Sequence, residues 1–422
     1  MESKTTVPTV FKNTLTDRRE VFTPRRDGEV KFFTCGPSVY RTQHIGNFRT
    51  FLFEDVLQKF LEYQGYTVDR VINYTDIEDK SIREASEKGV SVEALVQPVV
   101  DTFLSDAAKL SIYLPDTIPR ASTSVEQAVE LIKILLSKGV AYRYDGNVYF
   151  DPLKYDGFGE IFGLDMSRWP DHKVRFSRDT YEGKRWNLGD FILWHGPENA
   201  GGLVYESDIG PGRPAWNVQD AAMITKHLGY EIDIHTGGID NVYRHHDYNH
   251  AIVEAASGRE FCHYWLHGEH LIVNGKKMSK STGNTLYLDD LLERGLSPQQ
   301  ARFLLVYGYY REELDITDDV IDSARSRLSA LQEKVKRVTN IRNSHGEANP
   351  RARQLADELP VLFESELAND LHVDRAVDGI DAILDELIAI DEASGLKEPV
   401  SDSLNASIER IDGVLGVLKE HS

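Results

Sequence analysis

One unit near the start of the chain constrains the fold most: a strand-like segment, a helical stripe and a second strand-like segment follow one another. The strands are predicted at Val30–Thr34 and Asp69–Asn73. Between them, apolar side chains recur at three- and four-residue spacing from Phe48 to Leu61, which is the period of an amphipathic helix. Two strands joined through a helix pair in parallel, and helices cover the resulting sheet. We therefore predict an α/β fold built on a parallel sheet.

The rest of the chain divides into segments that differ in composition and in the periodicity of their apolar residues. Irregular segments rich in Gly, Pro, Trp and Tyr fill about residues 117–212, which predicts an insertion into the sheet domain. Sheet-like sequence resumes at Glu231–His235, and nearly everything after Asp319 has helical period. We predict four segments, namely the first half of the sheet domain (1–116), the insertion (117–212), the second half of the sheet domain (213–317) and a helical bundle (318–422).

Charge and cysteine content exclude several classes of protein. The 422 residues carry a net charge of −20, which argues against a nucleic-acid coat protein. No apolar run approaches the ~18–20 residues that span a bilayer, and residues 1–6 lack the basic start and apolar core of a signal peptide. The two cysteines, Cys35 and Cys262, give no disulfide framework. We expect a cytoplasmic protein with no membrane partner.

A predicted helix from about Asp318 to Arg342 is locally basic. Its cations are Arg325, Arg327, Lys334, Lys336, Arg337 and Arg342. Such a surface can bind nucleic-acid phosphates. It can equally consist of cations that pair with nearby acids, and the sequence leaves both interpretations open.

Two short motifs point to phosphate chemistry. His44-Ile45-Gly46-Asn47 follows a strand and opens a helix, so an imidazole and an amide lie beside the positive end of the helix dipole. Far along the chain, Lys277-Met278-Ser279-Lys280-Ser281 places two lysines in a loop flanked by Gly and Asn. Lysines of this kind can neutralise the charge that develops when pyrophosphate leaves. A capped turn and a lysine-rich surface loop are the structural alternatives.

In this order, the two motifs resemble the HIGH-type and KMSKS-type signatures of class I aminoacyl-tRNA synthetases. The chain is more specifically similar to cysteinyl-tRNA synthetases and to their paralogue, the cysteine-adding mycothiol ligase, from about Phe11 to Gly395. Further motifs carry the resemblance: Cys35-Gly36-Pro37-Ser38-Val39-Tyr40, Tyr74-Thr75-Asp76-Ile77-Glu78-Asp79-Lys80, Gly212-Arg213-Pro214-Ala215-Trp216, Asp233-Ile234-His235-Thr236-Gly237-Gly238-Ile239-Asp240 and Tyr264-Trp265-Leu266-His267. The fold implied is a Rossmann-like catalytic domain with a connective insertion and a carboxyl-terminal helical bundle.

The resemblance also implies a reaction and roles for individual residues. An amino acid would attack the α-phosphate of ATP to give an aminoacyl adenylate, with Mg²⁺ accompanying the ATP. The implied catalytic residues are His44, Asn47, Lys277 and Lys280. The implied ATP-binding residues are Gly36, Gly46, Gly237, Gly238, Asp240, Lys277, Met278, Ser279 and Lys280. The implied amino-acid pocket comprises Cys35, Thr75, Trp216, Asp220, His235, His245 and Asn249.

The chain departs from cysteinyl enzymes at the zinc site. Those enzymes hold zinc with two cysteines, a histidine and a glutamate, and the zinc selects the substrate thiolate. Here Cys35 and His245 match, but Asp220 stands at the second cysteine and Asn249 at the glutamate. Cys35, Asp220 and His245 remain candidate metal ligands, although loss of the zinc, and of cysteine specificity with it, is the expectation. A buried Asp220 carboxylate should face a cation, a metal or a hydrogen-bond donor, and the substrate side chain is one candidate.

The carboxyl end is a second departure, since the resemblance implies that the small anticodon-reading domain of bacterial cysteinyl enzymes is missing. Three hypotheses remain. The first is an enzyme that charges a tRNA acceptor end, with tRNA held by the helix over residues 325–342. The second is a ligase that transfers the amino acid to a small-molecule amine or a protein, and the third is a non-catalytic relative. The amino acid, the acceptor and the oligomeric state stay open.

Overall fold

The computed structural model describes residues 7–116, 118–168, 189–278, 283–341 and 349–420. Within them the strands are β1 Val10–Asn13, β2 Arg18–Val21, β3 Glu29–Thr34, β4 Thr67–Ile72, β5 Ala141–Tyr144, β6 Asn147–Phe150, β7 Phe191–His195, β8 Arg213–Pro214, β9 Ile232–Gly238, β10 Cys262–Gly268, β11 Leu271–Val273, β12 Lys276–Lys277 and β13 Leu314–Ile316. The α-helices are α1 Ile45–Tyr63, α2 Asp79–Lys88, α3 Val92–Lys109, α4 Val125–Ser137, α5 Trp216–His227, α6 Asp247–Ser257, α7 Leu288–Glu293, α8 Pro298–Val306, α9 Asp318–Thr339, α10 Pro350–Ala368, α11 Val373–Ser394 and α12 Glu398–Leu415.

A parallel four-stranded sheet, in the order β10-β9-β3-β4, forms the centre of the molecule. Successive side chains of a strand point to opposite faces, and β3 shows this: Phe32 joins the core beneath α1, whereas Phe33 joins the core beneath α5 and α6. Both residues are fully buried. Helices on both faces of a parallel sheet confirm the predicted α/β class.

The strand order reverses direction at β3. From β3 the chain crosses through α1 to β4 on one side, and it returns later to β9 and β10 on the other. In open parallel sheets, ligands bind outside the carboxyl ends of the strands at this reversal. The end of β3 and the end of β9 are therefore the place to examine for function.

Between the halves of the sheet, β5 to β8 form a separate antiparallel sheet. The strands pair in sequence order, β5 with β6, β6 with β7 and β7 with β8, which gives this region more structure than its irregular composition suggests. Part of the predicted insertion, residues 169–188, lies outside the described residues. The four segment boundaries remain predictions.

Helices α9 to α12 form the carboxyl-terminal bundle, which shares one hydrophobic core with α1 and α8. Phe363 of α10, for example, packs edge-on against Phe60 and Tyr63 of α1, with ring centroids 6.5 and 5.4 Å away. In the part of the chain that the structure describes, no helix combines the length and the apolar character required to cross a bilayer.

Candidate active site

A cavity of about 310 Å³ opens at the carboxyl ends of β3 and β9. Of the residues predicted for function, the cavity wall includes Cys35, Gly36, His44, Gly46, Asn47, Thr75, Trp216, Gly238, Asp240, His245, Lys277 and Met278. The structure thus brings together side chains that lie more than 240 positions apart in sequence. Ser279 and Lys280 lie outside the described residues.

His44 and Asn47 form a reciprocal cap at the start of α1. The backbone N–H of Asn47 donates to His44 Nδ1 (3.3 Å), and the His44 N–H donates to Asn47 Oδ1 (3.1 Å). Burial lowers the pKa of His44, which favours the neutral ring. Because Nδ1 accepts a hydrogen bond, the ring proton belongs on Nε2. His44 therefore serves both the helix and the cavity, as a cap and as a donor.

Gly36 and Gly46 of the cavity wall lie so close to neighbouring atoms that a Cβ at either position would crowd them. A Cβ on Gly46 would lie 2.9 Å from Met278 Cε and 3.1 Å from the His44 ring. At Gly36, a Cβ would lie only 1.9 Å from the carbonyl oxygen of Asn73. Close approach of backbone to a ligand or to another strand requires glycine at such positions.

Asp240 and Lys277 meet at the mouth of the cavity. Lys277 Nζ lies 2.9 and 3.1 Å from the two carboxylate oxygens of Asp240, and His270 Nε2 lies 3.3 Å from one of them. Both side chains of the pair are about three-fifths exposed. An ion pair this exposed is worth about 1 kcal/mol or less, so a ligand can displace it at little cost.

At the other end of the cavity, Asp220 forms the centre of a buried hydrogen-bond network. Asn73 Nδ2 donates to one carboxylate oxygen (2.9 Å), and His245 Nε2 lies 2.8 Å from the other. The Trp216 ring stacks on His245 with centroids 4.2 Å apart. Burial, and next the Asp220 charge, raise the pKa of the Cys35 thiol well above its usual value. Asp220 thus has donors within the protein, behind a wall that Cys35, Trp216 and His245 present to the cavity.

The residue that precedes His245 has a strained backbone conformation. Arg244 has φ 78° and ψ −47°, a backbone conformation that non-glycine residues seldom adopt, between extended Tyr243 and the start of α6. Strain of this kind persists where the surrounding structure fixes it and is common at functional sites.

Three buried histidines that sequence reasoning did not join into one cluster lie behind the wall. His246 Nδ1 lies 2.7 Å from His267 Nε2, His267 Nδ1 lies 2.8 Å from Thr14 Oγ1, and His235 stacks on Trp265. Burial lowers the pKa of all three, that of His267 to about 3, which keeps the rings neutral. The parallel pairing of β9 with β10 places His235 opposite Trp265 and Gly237 opposite His267, which brings these residues together.

Other predicted or overlooked residues are placed as follows. His235, Asn249 and Gly237 do not line the cavity, and Asn249 is fully buried with neither side-chain polar atom bonded to a described residue. Asn73, which binds Asp220, and Asn241, whose Nδ2 lies 3.7 Å from Cys35 Sγ, were both missed. Asn73 directly follows β4, and its position as a polar residue after a parallel strand is the signal that could have identified it.

The residues present do not fit the four-ligand zinc site of cysteinyl enzymes. Asp220 Oδ2 and His245 Nε2 are at hydrogen-bond distance of one another, and a neutral amide, Asn249, replaces a carboxylate. A metal-binding histidine usually donates its other ring N–H to an acceptor, but Nδ1 of His245 is buried and has no hydrogen-bond partner among the described residues. The ligand atoms of Cys35, His245 and His246 do lie within 4.8 Å of one another, so thiol and imidazole groups still converge there.

The basic helix corresponds to α9, and its described cations are paired. Their partners are mostly acids of α11: Arg327 pairs with Asp378, Lys334 with Asp381 and Asp385, and Arg337 with Asp391 and Glu392, while Arg325 pairs with Asp322 and Lys336 with Glu333. Arg342 lies outside the described residues. The alternative that these cations neutralise nearby acids is the one that fits this geometry.

Comparisons with known proteins agree with the fold. The family described as "tRNA synthetases class I (C) catalytic domain" matches residues 21–326. The cysteine–tRNA ligase of Chlamydia pneumoniae is 36% identical over 411 residues, covering 97% of this chain and 86% of that protein. That of Brachyspira hyodysenteriae is 36% identical over 413 residues, covering 96% and 85%.

Solved structures with a similar fold are also class I synthetases. Mycobacterium tuberculosis methionyl-tRNA synthetase in complex with methionyl-adenylate superposes with a TM-score of 0.65 at 16% identity, covering 92% of this chain and 90% of that one. The Agrobacterium radiobacter LeuRS–tRNA–LeuAMS complex gives 0.65 at 12% identity, covering 94% and 85%. With the family match over most of the chain and relatives 36% identical across nearly all of it, the protein belongs to the class I tRNA synthetase (C) family of ligases.

Proposed function

We propose that this synthetase activates an amino acid other than cysteine with ATP and transfers it to the acceptor end of a tRNA. The observation that supports amino-acid activation is that one cavity is lined by His44, Asn47, Asp240 and Lys277 together with Cys35. His44 and Lys277 offer a neutral and a cationic donor suited to phosphates, and Cys35, Trp216 and His245 offer groups suited to a substrate side chain.

In the proposed reaction, a carboxylate oxygen of the amino acid attacks the α-phosphorus of ATP, and the bond to the β-phosphate oxygen breaks. The products are an aminoacyl adenylate and pyrophosphate. His44 Nε2–H would donate to a phosphate oxygen, and Lys277 with Lys280 would neutralise the departing pyrophosphate. Asp240 would accept from a ribose hydroxyl after releasing Lys277. Mg²⁺ would arrive with ATP and bind mainly its phosphates.

Altered amino-acid specificity is supported by the Asp220 network. In place of two metal ligands the chain has a hydrogen-bonded carboxylate and a neutral amide. The substrate side chain would therefore meet the Cys35 thiol, the His245 ring and the Trp216 face. These groups offer hydrogen bonds and a flat apolar surface. Asp220 would act through His245, whose ring it orients, because its own oxygens are engaged.

The alternative function is a tRNA-independent ligase that acylates a small-molecule amine or a protein. The pairing of the α9 cations favours it, because that helix then offers little to RNA phosphates. The two functions share the adenylate step and differ only in the acceptor.

Exchange of labelled pyrophosphate into ATP, measured with a panel of amino acids, tests the proposal. We expect exchange with at least one amino acid other than cysteine. Cysteine as the sole active substrate would overturn the altered specificity, and no exchange with any amino acid would overturn the adenylate step. Lys280→Ala should lower the exchange rate with little change in the KM for the amino acid.

A further inference from the structure

Arg49, in the second turn of α1, is a buried cation that the proposed reaction does not use. The residue is only 7% exposed. Its Nη1 donates to the carbonyl oxygens of Glu269 (3.0 Å) and His270 (2.8 Å), and its Nη2 donates to those of Tyr309 (3.4 Å) and Glu312 (2.5 Å). Burial lowers the pKa of Arg49 to about 10, so the guanidinium keeps its charge at neutral pH. One side chain of α1 is thus bonded to two distant segments of the chain.

The two segments that Arg49 contacts are also joined to each other. The N–H of Glu269 donates to the carbonyl of Tyr310 (2.8 Å), and the N–H of Leu314 donates to the carbonyl of His270 (3.1 Å). From there on, β13 pairs in parallel with β11. The segments therefore form one unit, which Arg49 fastens to α1.

This unit carries groups of the cavity wall on residues 269–277, which we call the lysine arm. Glu269 and His270 at its start and Lys277 at its end all line the cavity. His270 and Lys277 also contact the same carboxylate, that of Asp240. The arm contains β11 and β12, and these strands and β13 have only two or three residues each. Strands this short need further contacts to hold a fixed position.

The chemistry of the Arg49 side chain suits it to fixing that position. Burying a charge is costly, and an apolar side chain of similar size would pack α1 against these segments at lower cost. The guanidinium adds direction, because its N–H donors form a rigid planar fork that restricts where the carbonyl oxygens can lie. The same helix begins at the cap that His44 forms. Arg49 therefore relates the position of the lysine arm to that of His44.

We propose that Arg49 is a positioning residue for adenylate formation, which holds the lysine arm against α1 so that Lys277 and His44 face the same phosphates. The inference rests on the proposed function and adds to it a residue that does not line the cavity. Without Arg49, Lys277 is still present but misplaced. Misplacement of a group by about 1 Å can cost roughly a hundredfold in rate, whereas the groups that meet the amino-acid side chain are unaffected.

The first test measures the position of the arm without any substrate. Arg49→Lys keeps the charge but replaces the fork by a single ammonium group. Arg302→Lys is the matched control: Arg302 is equally buried and donates to the carbonyls of Leu415 (2.6 Å) and Leu110 (2.8 Å), and none of its described hydrogen bonds reaches the lysine arm. Backbone hydrogen exchange is followed by mass spectrometry on peptides that cover residues 271–277 and, in the same protein, β3.

We expect the arm of Arg49→Lys to exchange roughly tenfold or more faster than in wild type, relative to β3, because the arm then opens locally. The ratio to β3 cancels any general loss of stability. In Arg302→Lys the ratio should equal that of wild type. A wild-type ratio in Arg49→Lys would overturn the inference. Arg49→Gln, which can still donate to a carbonyl but has no charge, is the second variant, and the same outcomes apply to it.

The second test measures the consequence for the reaction. In pyrophosphate exchange, Arg49→Lys should lower kcat roughly tenfold or more and change the KM for the amino acid by no more than about twofold. An increase in that KM with kcat unchanged would assign Arg49 to substrate binding and overturn the inference. Arg302→Lys should keep the wild-type kcat at a temperature where it is folded.

A double variant shows whether Arg49 acts through the lysine arm. In a Lys277→Ala background, Arg49→Lys should lower kcat by less than about threefold, because the group that it positions is already gone. Losses that multiply fully would overturn the inference. A wild type that exchanges pyrophosphate with no amino acid would overturn the proposed function and the role of Arg49 in it. An active wild type, with the arm of Arg49→Lys protected as in wild type, would overturn the inference alone.

Discussion

At the scale of single residues, His44 both caps a helix and lines the cavity where the proposed reaction takes place. Its Nδ1 accepts the N–H of Asn47 at the start of α1, and its other nitrogen is available to the cavity. Removing a capping side chain costs about 0.5–2 kcal/mol. Removing one donor to developing charge costs roughly a hundredfold in rate. The two losses can be separated, because caps elsewhere in the chain have no such second task.

We expect His44→Ala to lower the free energy of unfolding by about 1 kcal/mol and the exchange rate roughly a hundredfold. Ser91→Ala is the matched control, since Ser91 Oγ caps α3 by accepting the N–H of Ala94 at 3.1 Å. Urea unfolding should show a similar loss for both variants, and only the first should lose activity. Equal activity in the two variants would remove His44 from the phosphate site.

The Asp220 network leads to a second prediction, on metal content. Purified wild type should contain well below one zinc per chain, and Asp220→Cys combined with Asn249→Glu should raise it towards one, because those changes rebuild the family's ligand set. Asp220→Asn controls for loss of the carboxylate alone and should bind none. Atomic emission on dialysed protein measures this. Wild-type zinc near one per chain that disappears in Cys35→Ser would contradict the hydrogen-bonded interpretation of the network.

At the scale of elements, Asp247 ties the insertion to the first turn of α6. Its carboxylate accepts the backbone N–H of Ile161 (3.0 Å), and burial raises its pKa to about 7. The folded state therefore binds a proton that the unfolded state, with an ordinary carboxyl pKa, releases from about pH 4 upward. The contribution of this proton to the free energy of unfolding is therefore fully present below about pH 4 and is lost as the pH rises towards 7.

Asp247→Asn keeps an oxygen that can accept from Ile161 but cannot titrate. Compared with the variant, wild type should lose stability between about pH 4 and 7, by at most about 1.4 kcal/mol per pH unit. Urea unfolding at a series of pH values measures the difference. Parallel pH profiles for the two proteins would show that this carboxyl titrates equally in both states.

The elements also show what the sequence can and cannot predict. The helical period from Phe48 to Leu61 and the strands around it predicted the parallel sheet, and the structure confirms it. Asp220 and its partner His245 were predicted for the pocket, but Asn73 was not, because a polar residue after a strand does not identify a contact 147 positions away along the chain. The cations of α9 were equally ambiguous from sequence, and the structure pairs three of them with acids of α11.

At the scale of the whole molecule, the sheet domain and the bundle share one core, and Arg302 of α8 links them. Its guanidinium donates to Asp55 of α1 (2.7 Å), to the carbonyl of Leu415 in α12 (2.6 Å) and to that of Leu110 (2.8 Å). Arg302 and Asp55 are both fully buried. Breaking a buried pair by removing one partner costs about 3–5 kcal/mol.

Arg302→Ala should therefore destabilise the protein by about 3–5 kcal/mol in a single transition, with tryptophan fluorescence and ATP binding lost together. Arg351→Ala is the control, since Arg351 pairs with Glu386 on the surface (2.7 Å) and its loss should cost about 1 kcal/mol or less. Two separate transitions, only one of them shifted, would mean that sheet domain and bundle unfold independently.

The cap formed by His44 and Asn47 has a consequence for how relatives of this protein are judged. A relative that had lost nucleotide binding would still use both residues to cap α1. Their presence in a sequence is therefore weak evidence that the relative is an active enzyme. Asp240 and Lys277 are more informative, because both are exposed and, among the described residues, their side chains form ion pairs only with each other and, for Asp240, with His270. Substitution of Asp240 or Lys277 in a relative that keeps His44 and Asn47 would therefore be the earliest indication in its sequence that catalytic activity has been lost.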